Sequence, residues 1–281
     1  MQIEILLENA QHMKRYILIL SLTVFAIACT KNVFTNRSQL NLYSDADIEQ
    51  MANQEYRATL AKSKVVSPSV NKDAEMVTRV GNRLANAVNT YFSQKKEGNP
   101  YKDYKWEFNL VDDKQVNAWC MPGGKVVVYT GLLPVAQNEA ALAVVLGHEI
   151  THALAKHGNE RMSEGMMQQL GGAALSVAVA NKPAETQQLF MSAYGLGSQV
   201  GVLLPFSRSQ ETEADHYGLI LCALAGYNPR EAVPFWERMQ KMSNGQAPPE
   251  LLSDHPSDET RINNVKKFAE EAMKYYKPMN K

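Results

Sequence analysis

Gly147-His148-Glu149-Ile150-Thr151-His152 lies within the run from Glu139 to His157, whose pattern predicts a helix. On a helix, positions four apart share a face, about 6 Å apart along the axis. His148 and His152 can therefore hold one metal ion between their imidazoles. Glu149 stands beside them, about 100° round the helix, where it can reach a water on that metal. Zinc accepts His nitrogen and carboxylate oxygen in tetrahedral sites, and it keeps one position open when catalytic. The same HExxH pattern also arises by chance on amphipathic helices, so the reading turns on a third ligand.

A third histidine in the longer pattern HExxHxxGxxH is excluded. Ala155 stands where that pattern needs glycine, and His157 falls one residue short of its last position. His157 is about 140° round the helix from His152. Gly158, a common helix-ending residue, follows it. His157 is accordingly expected to cap the helix or lie at the surface. The better candidate is downstream, in Ser207-Arg208-Ser209-Gln210-Glu211-Thr212-Glu213-Ala214-Asp215. Ser207 with Gln210 suggests a capping box opening a helix. Glu211 and Asp215 then share a face one turn apart. Glu211 is the expected third ligand. Asp215 is expected to accept the second ring N–H of a ligand histidine and so fix its tautomer. Glu213 is expected to face solvent.

HExxH followed about sixty residues later by ExxxD resembles the HtpX and CAAX-prenyl-protease type of zinc metallopeptidases. Asn117-Ala118, Pro122-Gly123-Gly124 and Thr130-Gly131-Leu132-Leu133 resemble that family's strand and turn. Asp254-His255-Pro256 with Arg261-Ile262 resembles its C-terminal element. The blocks stand in the family's order, so the likeness runs from about Ser44 to Lys281 and is strongest to the soluble and mitochondrial quality-control branches. It implies a gluzincin fold, one zinc ion and peptide-bond hydrolysis. Glu149 would be the general base. His255 and Arg261 would approach the site from the C-terminal side, as oxyanion donors or, for His255, as a plug on the open position. Gly124, Lys125, Val126, Val127 and Val128 are expected to form an edge strand to which an extended client adds. Trp119 and Cys120 are read as packing residues.

The rest of the chain sets the frame. With 281 residues, 45% hydrophobic, it can bury one large core. Lys plus Arg number 29 and Asp plus Glu 29, so no basic excess points to nucleic acid. Three cysteines without CxxC exclude a cysteine zinc knuckle. Met13-Lys14-Arg15, the apolar run from Tyr16 to Ala28 and Ala26-Ile27-Ala28-Cys29 read as an export signal over residues 1–29. Ala-x-Ala suits ordinary cleavage. Cys29 after a small residue resembles a bacterial lipobox, and lipidation of Cys29 is the preferred reading. The protein would then sit on the periplasmic face of a bacterial membrane, the outer one by preference, held by its lipid. Residues 30–43 are expected to be a polar tether and 44–281 the catalytic domain.

Helices are predicted from Ser44 to Lys62, Asp73 to Lys95, Asn228 onward and Asp258 to Tyr276, and strands around Tyr104–Leu110 and Lys125–Thr130. Pro- and Gly-bearing residues Ser243 to Ser257 are predicted to be a loop that carries His255 over the cleft. The architecture is α+β, mostly helical, with one small mixed sheet. Two functions fit. One is an endopeptidase of the cell envelope that cuts misfolded or unassembled proteins. The other is a chaperone or assembly factor that binds such clients and rarely cuts. An intact Glu149 beside three ligands favours the enzyme.

Overall fold

A computed structural model describes residues 29–93, 95, 98–180, 184, 188, 204–243, 251, 255 and 259–278. The chain enters through a hairpin, β1 (Cys29–Lys31) and β2 (Ser38–Leu40), and then forms α1 (Asp45–Lys62). Ser44 caps α1 by accepting the Asp47 N–H at 3.2 Å. β3 (Val65–Val66) and α2 (Lys72–Ser93) follow, then β4 (Glu107–Val111), β5 (Ala118–Met121) and β6 (Lys125–Tyr129). A short α3 (Leu133–Ala136) leads into α4 (Glu139–Leu154) and α5 (His157–Val179). The C-terminal part holds α6 (Leu204–Leu224), α7 (Ala232–Ser243) and α8 (Glu259–Ala272). The expected mixture of many helices and one small mixed sheet is what forms. Among the described helices none is long and apolar enough to cross a membrane.

The sheet order is β3-β4-β6-β5, with β4 and β6 parallel and the other pairs antiparallel. This corrects the substrate-strand expectation. β6 is an inner strand, hydrogen-bonded on both sides. Its residues Lys125 to Val128 are buried, and the Gly124 carbonyl accepts the Glu107 N–H at 2.9 Å. No backbone group of Gly124, Lys125, Val126, Val127 or Val128 is left in a sheet edge for a client. The edge strands are β3 and β5.

α4 is the hub. Its residues Ala141 to Leu154 are all buried, so it is walled in on every side. α2 packs on it with Val77, Val80, Leu84 and Val88, the helical stripe of the sequence. α6 crosses it at unusually close range. A Cβ on Gly147 would sit 2.6 Å from the Gly218 carbonyl oxygen, and one on Gly218 would sit 2.7 Å from the His148 nitrogen. Only two glycines let the backbones touch here, and this contact brings the acidic face of α6 within side-chain reach of the histidines of α4.

Two expectations about segment ends are corrected. α4 stops at Leu154 rather than His157, because Lys156 takes a left-handed conformation with φ 56° and starts α5 on a new axis. α6 begins at Leu204, so Ser207 lies inside the helix and does not cap it; Gln210 is buried and donates to Glu160 at 2.7 Å. Residues 30–43 are also not a tether. Phe34 is buried against Tyr91, Phe92 and Tyr217. The Asn32 amide donates to the Leu154 carbonyl at 3.1 Å, and the Gln39 amide donates to the Ala155 carbonyl at 2.6 Å. These carbonyls end α4 and have no partner within the helix. The polar residues that suggest a tether are the ones that cap the central helix. The signal segment before Cys29 lies outside the described residues, as does the Ser243–Ser257 loop apart from Ser243, Leu251 and His255.

Candidate metal centre

α4 presents His148 and His152 on one face, and α6 brings Glu211 over them. His148 Nε2 lies 3.0 Å from His152 Nε2 and 3.4 Å from Glu211 Oε2; His152 Nε2 lies 3.3 Å from Glu211 Oε1. A tetrahedral zinc site with bonds of about 2.0–2.1 Å has ligand atoms separated by about 3.3 Å. The three side chains thus converge at the spacing such an ion imposes. His255 joins them: its Nδ1 is 2.9 Å from Glu211 Oε1 and 3.2 Å from His148 Nε2. One ligand atom from each of His148, His152, Glu211 and His255 falls within a single 4.8 Å group, and all four residues are buried.

Charge makes the same case. Glu149, Glu211 and Asp215 are all buried, and Arg261 is the permanent cation that meets Glu211 and Asp215. Three buried carboxylates against one guanidinium leave two negative charges, a balance that a divalent cation restores; uncompensated burial would be costly. Burial opposes ionisation of Glu211, yet its contacts with His148, His152 and His255 hold its carboxyl well below the usual range. Burial likewise works against a charged His148, but Asp215 and Glu211 overcome it and hold the ring up to about 9. His152 goes the other way, pushed well down by burial.

Glu149 stands where a base is needed. Its Oε1 is buried and receives no hydrogen bond from the described residues; His255 Nε2 is 3.5 Å away. An orphaned buried carboxylate oxygen beside three converging ligands fits a water held at the metal. Burial raises the Glu149 carboxyl. Nearby Cys120 is also raised by burial, which keeps it a thiol, and neither it nor Cys222 is disulfide-bonded.

Asp215 does what its spacing predicts. Its Oδ1 lies 2.9 Å from His148 Nδ1, so it accepts that ring's N–H and turns Nε2 inward. Arg261 Nε and Nη2 donate to the two Asp215 oxygens at 2.8 Å each, and its Nη1 donates to the His255 carbonyl at 2.8 Å. The guanidinium lies 3.8 Å over the Trp236 ring. Its Nη2 also lies 3.3 Å from Glu211 Oε2, so the guanidinium braces Asp215, Glu211 and the His255 backbone together. His157 and Glu213 are corrected as well. His157 is fully buried, with Nδ1 2.8 Å from His152 Nδ1 and Nε2 2.9 Å from Glu213 Oε2. Glu213 turns inward to meet His157 at the start of α5 and Arg37 of the hairpin. No periodicity marks this pair, since it spans two helices on different axes.

The chain belongs to Peptidase family M48, whose profile matches residues 71–269. It is 33% identical over 241 residues to the mitochondrial metalloendopeptidase OMA1 of Schizosaccharomyces pombe, covering 85% of this chain and 66% of that protein. It is 28% identical over 223 residues to metalloprotease LoiP of Escherichia coli, covering 79% of this chain and 81% of that one. A beta-barrel assembly-enhancing protease of Yersinia pestis is 29% identical over 204 residues, 69% of this chain and 38% of that protein. The chain spans between about a third and two thirds of the length of the mitochondrial relatives it matches.

Proposed function

We propose that this protein is a zinc-dependent endopeptidase that cuts misfolded or unassembled proteins of a bacterial cell envelope. The observation that carries the reading is the convergence of His148, His152 and Glu211 beside the orphaned carboxylate oxygen of Glu149. Zinc, when bound, supplies Lewis-acid polarisation of the scissile carbonyl and a water acidic enough to ionise near neutrality. Glu149 Oε1 takes a proton from the attacking water and passes it to the leaving amine nitrogen. Asp215 and Arg261 keep His148 in the tautomer that points Nε2 inward. An extended client pairs along the unpaired side of β5, the sheet edge that packs against α4, through main-chain hydrogen bonds that read little sequence. The metalloproteases among its relatives, two of them bacterial and one named for β-barrel assembly, support the envelope setting.

His255 sets the resting state on this reading. Its Nδ1 takes the fourth corner of the ligand group, where the open position of a working site would be. The imidazole thus plugs the site and lowers basal cleavage, and a client must displace it. His255→Ala is expected to raise the basal rate on an unfolded peptide. If His255 instead stabilised the oxyanion, the same change would lower the rate by about 10²-fold. The plug also bears on the chaperone reading: a client-binding protein that rarely cuts is what a plugged enzyme looks like until the plug is released.

The envelope setting rests on Cys29 as a lipid attachment site. β1 begins at Cys29, so the acyl chains would join the folded domain directly, without the polar tether expected from residues 30–43. Cys29→Ser should move the protein from the membrane to the soluble fraction, because the acyl chains are then its anchor. Membrane retention of Cys29→Ser with an uncleaved N-terminus would replace the lipid anchor by a signal anchor.

A further inference from the structure

Each ligand histidine must present Nε2 to the metal, and each does so by committing Nδ1 elsewhere. For His148 the partner is Asp215, which Arg261 clamps with two hydrogen bonds. His152 has a longer arrangement of the same kind. With Nε2 facing His148 and Glu211, the His152 proton is on Nδ1, and His157 Nδ1 at 2.8 Å accepts it. Neutral His157 then carries its proton on Nε2 and donates it to Glu213 Oε2 at 2.9 Å. The same oxygen accepts the Arg37 Nε–H at 2.9 Å. Arg37 is fixed in turn by two 2.6 Å bonds from Nη1 and Nη2 to the Glu160 carboxylate. So both ligand histidines lean on a carboxylate held by an arginine, and one of them does so through an extra imidazole.

We infer that His157, Glu213 and Arg37 are positioning residues for the metal ligand His152, which makes the N-terminal hairpin part of the metal centre. Arg37 belongs to the turn between β1 and β2, while Asn32 and Gln39 of the same hairpin cap the α4 terminus two and three residues beyond His152. The hairpin thus holds the ring and its helix end from one side. This inference rests on the proposed reading that His152 holds the metal through Nε2.

The test is zinc affinity of the full chain by chelator competition, together with the visible absorption of the cobalt-substituted protein and the melting temperature of the metal-free form. His157→Leu and Glu213→Gln should weaken zinc binding about 10- to 100-fold and alter the cobalt spectrum. His157→Gln should recover most of that loss, since its amide can both accept from His152 Nδ1–H and donate to Glu213. Arg37→Met should weaken zinc binding in the parent and add little in the His157→Leu background, as members of one chain do. Zinc affinity within about twofold of the parent in His157→Leu would overturn the inference. So would equal weakening by His157→Gln and His157→Leu, which would mean simple packing. Should His157→Leu fail to fold, Glu213→Gln decides, because it is isosteric and partly exposed; parental affinity there overturns the inference as well. A parent chain that binds no zinc defeats the metal reading itself, whereas a parent that binds zinc beside unaffected variants defeats only the role of the chain.

Discussion

Glu149→Gln is expected to bring peptide-bond cleavage down by about 10²- to 10⁴-fold, the range over which a positioned base contributes, with bound zinc unchanged. The amide keeps the shape of the carboxylate and loses the basic oxygen. Glu149 is not among the converging ligand atoms, and its Oε1 accepts no hydrogen bond from the described residues. The variant should therefore fold, bind metal and hold clients without turning them over. Measured with a quenched unfolded peptide and with metal analysis on the same preparation, this result separates base from ligand. Parental turnover in Glu149→Gln would show the roles to be misassigned. Clients trapped by this variant, identified by mass spectrometry of envelope proteins, would also name the substrates.

Glu211→Ala should lose both zinc and cleavage. Its two oxygens lie within 3.4 Å of ring nitrogens of His148, His152 and His255, so it is the acidic member that draws the three imidazoles together. Removing it deletes a buried negative charge from the ligand group and one of the carboxylates that Arg261 meets. Equilibrium dialysis against zinc, followed by the peptide assay, reads both losses. Normal zinc content in Glu211→Ala would hand the third position to another group, and His255 would be the first to consider.

Much of this site is legible in the sequence because it depends on helical spacing. HExxH and ExxxD each place their residues by one turn of helix, and α4 and α6 are long enough for that arithmetic to hold. Glu211 and Asp215 on one face of α6 follow from it. What spacing cannot give is how separate elements meet. His157 looks like a helix-ending surface residue five positions after His152, yet the left-handed Lys156 breaks the helix and folds His157 back against the His152 ring. Arg37 and Glu213 are 176 residues apart and share no local pattern. The hairpin's polar residues resemble a tether because their partners are the carbonyls of a distant helix end. The position of β6 inside the sheet is a matter of strand order: β4 pairs in parallel with it across the intervening β5, which is left at the edge. Gly147 and Gly218 could have been found as glycines inside helical runs, and their meaning appears only when the two helices cross.

The central claim is that these residues hold one catalytic zinc ion. Its most direct test is the metal content of the full chain after reconstitution with zinc and removal of the unbound ion. Close to one zinc per chain is expected, since three protein ligands with a fourth position complete a tetrahedral site. A chain that retains no zinc, while correctly folded, would contradict it.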